Sequence, residues 1–334
     1  MTTRPAVLVT GGGGYIGSHA VLALRDAGWP VVVIDNLVTG FRFAVPDDVP
    51  FVEGDIEDQP LVEQTLRQHD IKAIMHFAGS VVVPESVENP LKYYHNNSAK
   101  TRSLIESAVR CGVPHFIFSS TAATYGIPET SPVREDCPQR PINPYGMSKL
   151  MTEIMLKDVS QAHPMNFCAL RYFNVAGADP QGRSGQSTAG ATHLIKVAVE
   201  AALGKRSHVA VFGTDFDTPD GTGVRDYIHV SDLAAAHVLA LEALMAEPER
   251  NYMLNCGYGR GFSVLEVLDA VDRVTNRTIE RRLEGRRAGD PPALISDNGA
   301  IMKAFPWQPQ HADLDRIVTD ALGWERRLSD IRGE

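Results

Sequence analysis

The run VLVTGGGGYIGSHA at residues 7–20 narrows the possible folds more than any other stretch of this chain. A short β-branched strand stops at Thr10, four glycines follow, and a helical apolar pattern starts at once. A turn without side chains lets backbone N–H groups approach an anion at a helix amino terminus, where the helix dipole favours negative charge. Two registers fit: G-x-G-x-x-G from Gly12, or G-x-x-G-x-x-G through Gly11, Gly14 and Gly17, with Tyr15 and Ile16 inside either. Taken alone, such a motif can be a flexible turn. Asp35 adds weight, because it ends a second strand 18 residues after Gly17. A carboxylate at that spacing accepts hydrogen bonds from an adenosine ribose and repels a 2′-phosphate, which favours NAD over NADP. The plainer reading of Asp35-Asn36 is a strand-end turn. GDIED at 54–58 follows a third strand and could set Asp55 and Ile56 against an adenine.

Short β-branched or aromatic runs recur between helical patterns: Ala6–Thr10, Val31–Asp35, Phe51–Glu53, Ala73–Phe77, His115–Ser120 and Asn166–Phe173. Gly17–Ala27, Pro60–His69 and Ser98–Cys111 carry apolar residues at helical spacing. This alternation predicts a doubly wound parallel sheet, a Rossmann domain, with helices on both faces. Beyond Asn174 the rhythm loosens into a Gly- and Ser-rich stretch, and a smaller mixed α/β lobe is expected. Asp226–Leu244 reads as a strand turning into a helix capped by Ser231, returning to the first lobe. The expected division is 1–176 plus 224–250 for the cofactor and 177–223 plus 251–334 for the substrate.

The formal net charge of -9 argues against nucleic acid or an anionic membrane surface as partner. Cys111, Cys137, Cys168 and Cys256 have neither metal nor redox spacing, so no metal is expected. No apolar run reaches membrane-spanning length and no leader pattern precedes Ala6, so the expected location is the cytoplasm.

Tyr145 and Lys149 stand four residues apart at the start of a helix whose first turn suits Pro144. Residues at i and i+4 share a face. A phenol titrates near 10, too high for a base at neutral pH, and a neighbouring ammonium favours the phenolate. Thr121 supplies a hydroxyl at the end of the preceding strand run, FIFSSTAATYG. Together the three groups point to proton and hydride chemistry at a carbinol.

The motifs TGGGGYIGSH, HFAG (76–79), PESV (84–87), YYHNN (93–97), SSTAATYG, YGMSK, LRYFNVAGA (170–178), DGTGVRDYIHV (220–230) and RRAGD (286–290) run nearly end to end. Here the chain resembles the extended short-chain dehydrogenase/reductase family, and most closely its UDP-glucose 4-epimerase branch. The resemblance implies that Tyr145 takes a proton from the sugar 4-hydroxyl while C4 passes a hydride to bound NAD. A 4-keto sugar results and is reduced on its other face. It implies cofactor contacts at Gly11, Gly14, Tyr15, Ile16, Gly17, Asp35, Asn36, Asp55, Ile56, Phe77, Ala78, Gly79, Asn97, Tyr145, Lys149 and Tyr172. For a UDP-sugar it implies Thr121, Asn174, His193, Leu194, Phe212, Arg225, Arg287 and Asp290. A homodimer is implied through the helix bearing Tyr145 and the one near 98–111.

Val81 stands where the family carries a lysine, and His193 where an asparagine is common. Leu294 takes the position that gates space beside the sugar 2-substituent, and its intermediate size favours hexoses without an N-acetyl group. Ala122 and Ala123 replace the acidic residue that related dehydratases and decarboxylases need. UDP-pentose or UDP-N-acetylhexosamine 4-epimerisation uses the same machinery and stays open. A non-catalytic NAD-binding sensor is the rival of another class, and it has no need of Tyr145, Lys149 and Thr121 together.

Overall fold

The structure, a computed structural model, describes residues 4–287 and 290–333. Its large sheet contains β1 (Ala6–Thr10), β2 (Val31–Asp35), β3 (Phe51–Glu53), β4 (Ile71–His76), β5 (His115–Thr121), β6 (Asn166–Tyr172) and an edge strand, Tyr252–Cys256. The spatial order is Tyr252–Cys256, β6, β5, β4, β1, β2, β3, and every pairing is parallel. Strands buried on both faces read as continuous apolar runs; β2, β5 and β6 are buried at every residue.

Alternation along each strand sorts side chains between two cores. Val7, Val9, Val31 and Val33 pack with the helices Tyr15–Asp26 and Val230–Ala246. Leu8, Val32, Ile34, Phe116 and Phe118 face the helices Gln59–Gln68, Lys100–Arg110 and Pro144–Ala162. The strand order reverses direction between β1 and β4, and open α/β sheets bind ligands at the carboxyl end of such a switch point.

A smaller α/β region is built on Val224–His229, which pairs in parallel with Asn174–Ala176 and Ala293–Leu294 and antiparallel with Gly261–Ser263. Val209–Phe212 pairs with Arg281–Glu284. The helices Leu194–Ala202, Val264–Thr275 and Leu314–Arg332 share one apolar core with these strands.

Two expectations change. Tyr252–Cys256, assigned by sequence to the second lobe, instead lies beside β6. Strand neighbours across a long connection leave no mark in local periodicity. The helix Val230–Ala246 is capped by His229, whose ring accepts the Ser231 N–H, and not by Ser231.

The glycine turn resolves into the register Gly11, Gly14, Gly17. Gly11 has φ 71°, and Gly14 is the N-cap of the helix Tyr15–Asp26. A Cβ on Gly17 would stand 2.1 Å from the Gly11 carbonyl oxygen. Backbone cannot retreat as a side chain can, so Gly17→Ala is expected to cost about 1–3 kcal/mol. Urea unfolding monitored by circular dichroism checks this; an unchanged midpoint contradicts it.

Candidate active site

The carboxyl ends of β1, β2 and β4 form one half of the crevice. Asp35 closes β2, nearly buried, and its carboxylate accepts the Gly13 N–H and the Leu37 N–H at 2.8 Å each. Burial raises its pKa and those two N–H groups partly offset the rise. Each carboxylate oxygen keeps a further lone pair. Beside it, Asn36 donates to Asp55 at 2.9 Å, and Lys100 donates to the same oxygen at 2.7 Å. Burial pushes the Asp55 pKa up, but Lys100, the Glu57 N–H and Asn36 outweigh it and hold the carboxyl below its usual range. Ile56 and Ala78 belong to the core beneath. Phe77 packs on His237 at 4.9 Å between ring centres.

Asn97 is buried and fully engaged. It accepts from the Ser80 N–H at 2.7 Å and donates to the Ser80 carbonyl at 2.9 Å and to the Ser148 hydroxyl at 3.0 Å. It thereby ties the loop after Gly79 to the helix Pro144–Ala162. Val81 is exposed in that loop. Tyr15 points away from the glycine turn, donating to the Gly177 carbonyl at 2.7 Å.

Asn143 caps the helix Pro144–Ala162, accepting the Gly146 N–H at 2.8 Å, and Pro144 opens its first turn. Tyr145 packs edge-on against Tyr93 at 6.4 Å. Burial raises its pKa, and a hydrogen bond with the Thr121 side chain opposes that rise. Lys149 shares the Tyr145 face of the helix, and its hydrogen bond goes to the neighbouring strand. Its longer stem carries the ammonium past the helix to β5, where it donates to the Ser119 carbonyl at 2.9 Å and lies 4.9 Å over the Phe118 ring. No carboxylate pairs with it among the described residues, and desolvation lowers its pKa to about 8. Tyr172, across β6, shares a short hydrogen bond with the Ser119 hydroxyl.

The opposite wall carries the residues expected on a nucleotide. Arg287 lies 3.8 Å over the Phe212 ring. Arg225 donates to the Val224 carbonyl at 2.8 Å and stands 3.6 Å from Asp290, whose own N–H reaches the Arg287 carbonyl. Leu294 pairs with Arg225 in the sheet and packs against Ala122, Tyr125 and Val133, so it joins this wall to the end of β5. Asn174 and Leu194 line a cavity that also touches Tyr15 and Gly177. His193 borders that cavity and is exposed, and the protein packed around it pushes its pKa down. Ala288 and Gly289 of the RRAGD motif lie outside the described residues.

The NAD dependent epimerase/dehydratase family model matches residues 7–257. The UDP-glucose 4-epimerase of Azospirillum brasilense is 55% identical over 99% of this chain and 94% of its own length. The chain belongs to the NAD-dependent epimerase/dehydratase family. Its fold matches the crystal structure of the Brucella ovis UDP-glucose 4-epimerase in complex with NAD, with TM-score 0.92 and 45% identity over 96% of this chain and 98% of that one. A second match is the UDP-Glc/GlcNAc 4-epimerase of Campylobacter jejuni, with TM-score 0.85 and 46% identity over 97% and 99% of the two chains.

This epimerase uses NAD, and its residues fit that cofactor. The glycine turn forms a cradle that a Cβ at Gly11 or Gly17 would fill, Asp35 keeps free acceptor positions, and Lys149 is a buried cation without a counter-ion among the described residues. Sequence reading missed the support behind the helix Pro144–Ala162. Glu153 and Arg171, both nearly fully buried, pair with two hydrogen bonds, at 2.9 and 2.7 Å. Arg171 also donates to the Tyr125 hydroxyl at 2.8 Å, which donates to Asn255 at 2.7 Å. The signal was available: Tyr145, Lys149 and Glu153 repeat every four residues on one helix face.

Lys149 has a folded pKa near 8 against an ordinary 10.5. The folded state therefore binds the proton less well, and stability is lowered in full below pH 8 and recovers as pH rises from about 8 toward 10.5. The shift corresponds to about 3 kcal/mol at neutral pH, and leaving the Ser119 carbonyl without its donor returns about 1–2 of that. Lys149→Met is expected to stabilise the epimerase by about 1–2 kcal/mol at pH 7 while abolishing turnover. A lower melting temperature in calorimetry contradicts this.

Proposed function

We propose that this chain interconverts UDP-glucose and UDP-galactose, through oxidation of the sugar C4 to a ketone and reduction from its opposite face. The observation that carries this reading is the Tyr145 phenol against the Thr121 hydroxyl at the carboxyl end of β5, followed only by Ala122 and Ala123. Bound NAD supplies the hydride acceptor and donor. The Gly11–Gly17 turn holds its pyrophosphate, Asp35 its adenosine ribose and Lys149 its nicotinamide ribose. Tyr145, as phenolate, takes the proton of the sugar 4-hydroxyl and keeps it until the second hydride transfer returns an alkoxide. Thr121 holds the reacting oxygen in line. The Lys149 ammonium, four residues on along the same helix face, favours the phenolate and so works against the burial that raises the Tyr145 pKa.

Arg225 and Arg287 hold the diphosphate with charge-assisted bonds, Phe212 stacks beside the uracil, and Asp290 takes the uridine ribose. Asn174, His193 and Leu194 line the side of the sugar-diphosphate. With neutral Ala122 and Ala123 there is no group to move a second proton, which disfavours elimination of water. Residues 1–176 plus 224–250 serve the cofactor, with the strand Tyr252–Cys256 added, and 177–223 and the remaining carboxyl-terminal residues serve the substrate. The four cysteines are unpaired, as suits a reducing cytoplasm, and no helix of the described residues is long and apolar enough to cross a membrane.

Incubation of the purified protein with UDP-glucose, without and then with added NAD, tests the reading by chromatography. UDP-galactose is the expected product, and Tyr145→Phe should reduce kcat by about 10²–10⁴. Equal or faster turnover of UDP-N-acetylglucosamine or UDP-xylose would overturn the hexose assignment and leave the 4-hydroxyl chemistry. No turnover of any UDP-sugar would leave an NAD-binding sensor.

A second copy of the chain is the partner proposed for the helix Pro144–Ala162, which exposes Met147, Met151 and Ile154 at spacings of three and four residues on one face. Light scattering should give twice the 36.4 kDa of one chain; a monomer refutes it.

A further inference from the structure

Two successive arginines leave the strand Arg281–Glu284 in different company. That strand runs parallel to Val209–Phe212, with Glu284 beside Phe212, and the Gly213 N–H closes the ladder on the Glu284 carbonyl at 2.9 Å. Beyond this rung the two chains diverge. Arg287 stays over Phe212, at 3.8 Å, whereas Arg286 reaches across to the chain that follows Gly213. Its guanidinium lies 4.3 Å over the Phe216 ring, its Nε donates to Asp215 Oδ1 at 2.6 Å, and its Nη2 donates to the Asp215 carbonyl.

The crossing is built into the backbone. Gly213 has φ 79°, and a Cβ there would stand 2.4 Å from Phe216 Cε2 and 2.9 Å from Arg286 Cγ. A left-handed residue without a side chain is what lets the ring and the arginine pack. Phe216 is buried although Asp215 and Asp217 on either side of it are exposed.

The loop behind Phe216 closes on itself. The Phe216 N–H donates to the Gly221 carbonyl at 2.9 Å, and the Asp220 carboxylate accepts the Thr222 N–H at 2.8 Å together with the hydroxyls of Thr222 and Ser263. It holds its shape as one piece. At its exit a Cβ on Gly223 would stand 3.3 Å from Arg225 Nη1, so the end of the loop borders the Arg225 guanidinium. Phe212 therefore stands at the entrance of the loop, Arg225 at its exit, and Arg287 next in sequence to the residue that ties it down.

Arg286 and Asp215 are both well exposed, and an exposed ion pair alone adds little stability. What the contact fixes is position. We infer that Arg286 is a positioning residue for the nucleotide: it straps the loop 214–221 to the exit of the strand Arg281–Glu284 and holds Phe212, Arg287 and Arg225 at a set spacing before the ligand arrives. The inference rests on the reading above, in which those three residues take the uracil and diphosphate of a UDP-sugar. Ordering a site in advance removes that cost from binding. Tyr145 and Thr121 stand on the large sheet and its helix, so the strap acts on affinity and leaves the proton and hydride steps alone.

Titration of the NAD-loaded protein with UDP, beside steady-state turnover of UDP-glucose, tests the strap. Arg286→Ala is expected to raise the Kd of UDP and the KM of UDP-glucose together by about five- to tenfold without lowering kcat, the pattern of binding lost equally from ground and transition states. Asp215→Ala cuts the same strap from its other end and should weaken UDP as well, with the double variant no weaker than the weaker single one. If Arg286 were instead a direct phosphate ligand, Asp215→Ala would free it, and UDP would bind as tightly as before or more so; that result overturns the inference. Arg287→Ala separates the strap from the reading beneath it. Weaker UDP binding in Arg287→Ala with none in Arg286→Ala removes the strap alone, and unchanged binding in Arg287→Ala removes the nucleotide assignment and the strap with it.

Discussion

The geometry of the candidate site depends on one buried ion pair. Glu153 from the helix Pro144–Ala162 and Arg171 from β6 meet with two parallel hydrogen bonds out of reach of water. Such a pair adds little net stability over an apolar one, but breaking it leaves a buried charge, at about 3–5 kcal/mol. It fixes how far the helix slides along the sheet, and Tyr145 and Lys149 inherit that setting. Ser120 from β5 and Gln139 from the loop also donate to Glu153, so the strand end bearing Thr121 is keyed to the same point.

The same helix carries an opposing cost. Lys149 is buried, bonded to a carbonyl and set over an aromatic face, with no carboxylate partner among the described residues. A chain selected for stability alone would place an apolar residue there. The charge is useful because it is underpaired: an ammonium with spare donors in a dry crevice is ready for hydroxyls that arrive with a ligand. The neighbouring His76, whose pKa burial and then Lys149 push down to about 3, stays neutral and adds no competing charge.

Much of this was legible in the sequence. The six strands of the first half were found to within about two residues, because parallel strands buried on both faces are written as unbroken β-branched runs. Gly11, Asp35, Thr121, Tyr145 and Lys149 were singled out as candidates through spacing relative to those strands. Three things did not. The register of four glycines needed the 2.1 Å approach of Gly17 to a carbonyl. The place of Tyr252–Cys256 depended on a partner 84 residues earlier, with Tyr252 beside Cys168. The path of the Lys149 side chain depended on which acceptor lay within reach, and helical spacing gives direction without reach. Phe212, Arg225, Arg287 and Asp290 were proposed for a nucleotide only through family resemblance, since an arginine beside an aromatic ring has no sequence signature.

The strand Tyr252–Cys256 has a further consequence. The chain leaves the large sheet after β6, contributes Asn174–Ala176 and Val209–Phe212 elsewhere, comes back with the helix Val230–Ala246 and this edge strand, and departs again. The two halves are sewn through each other, not strung in sequence. Neither can be cut out, duplicated or exchanged as one continuous length of gene, and any ancestor that fused a nucleotide-binding unit to a sugar-binding one must have done so by insertion within a loop.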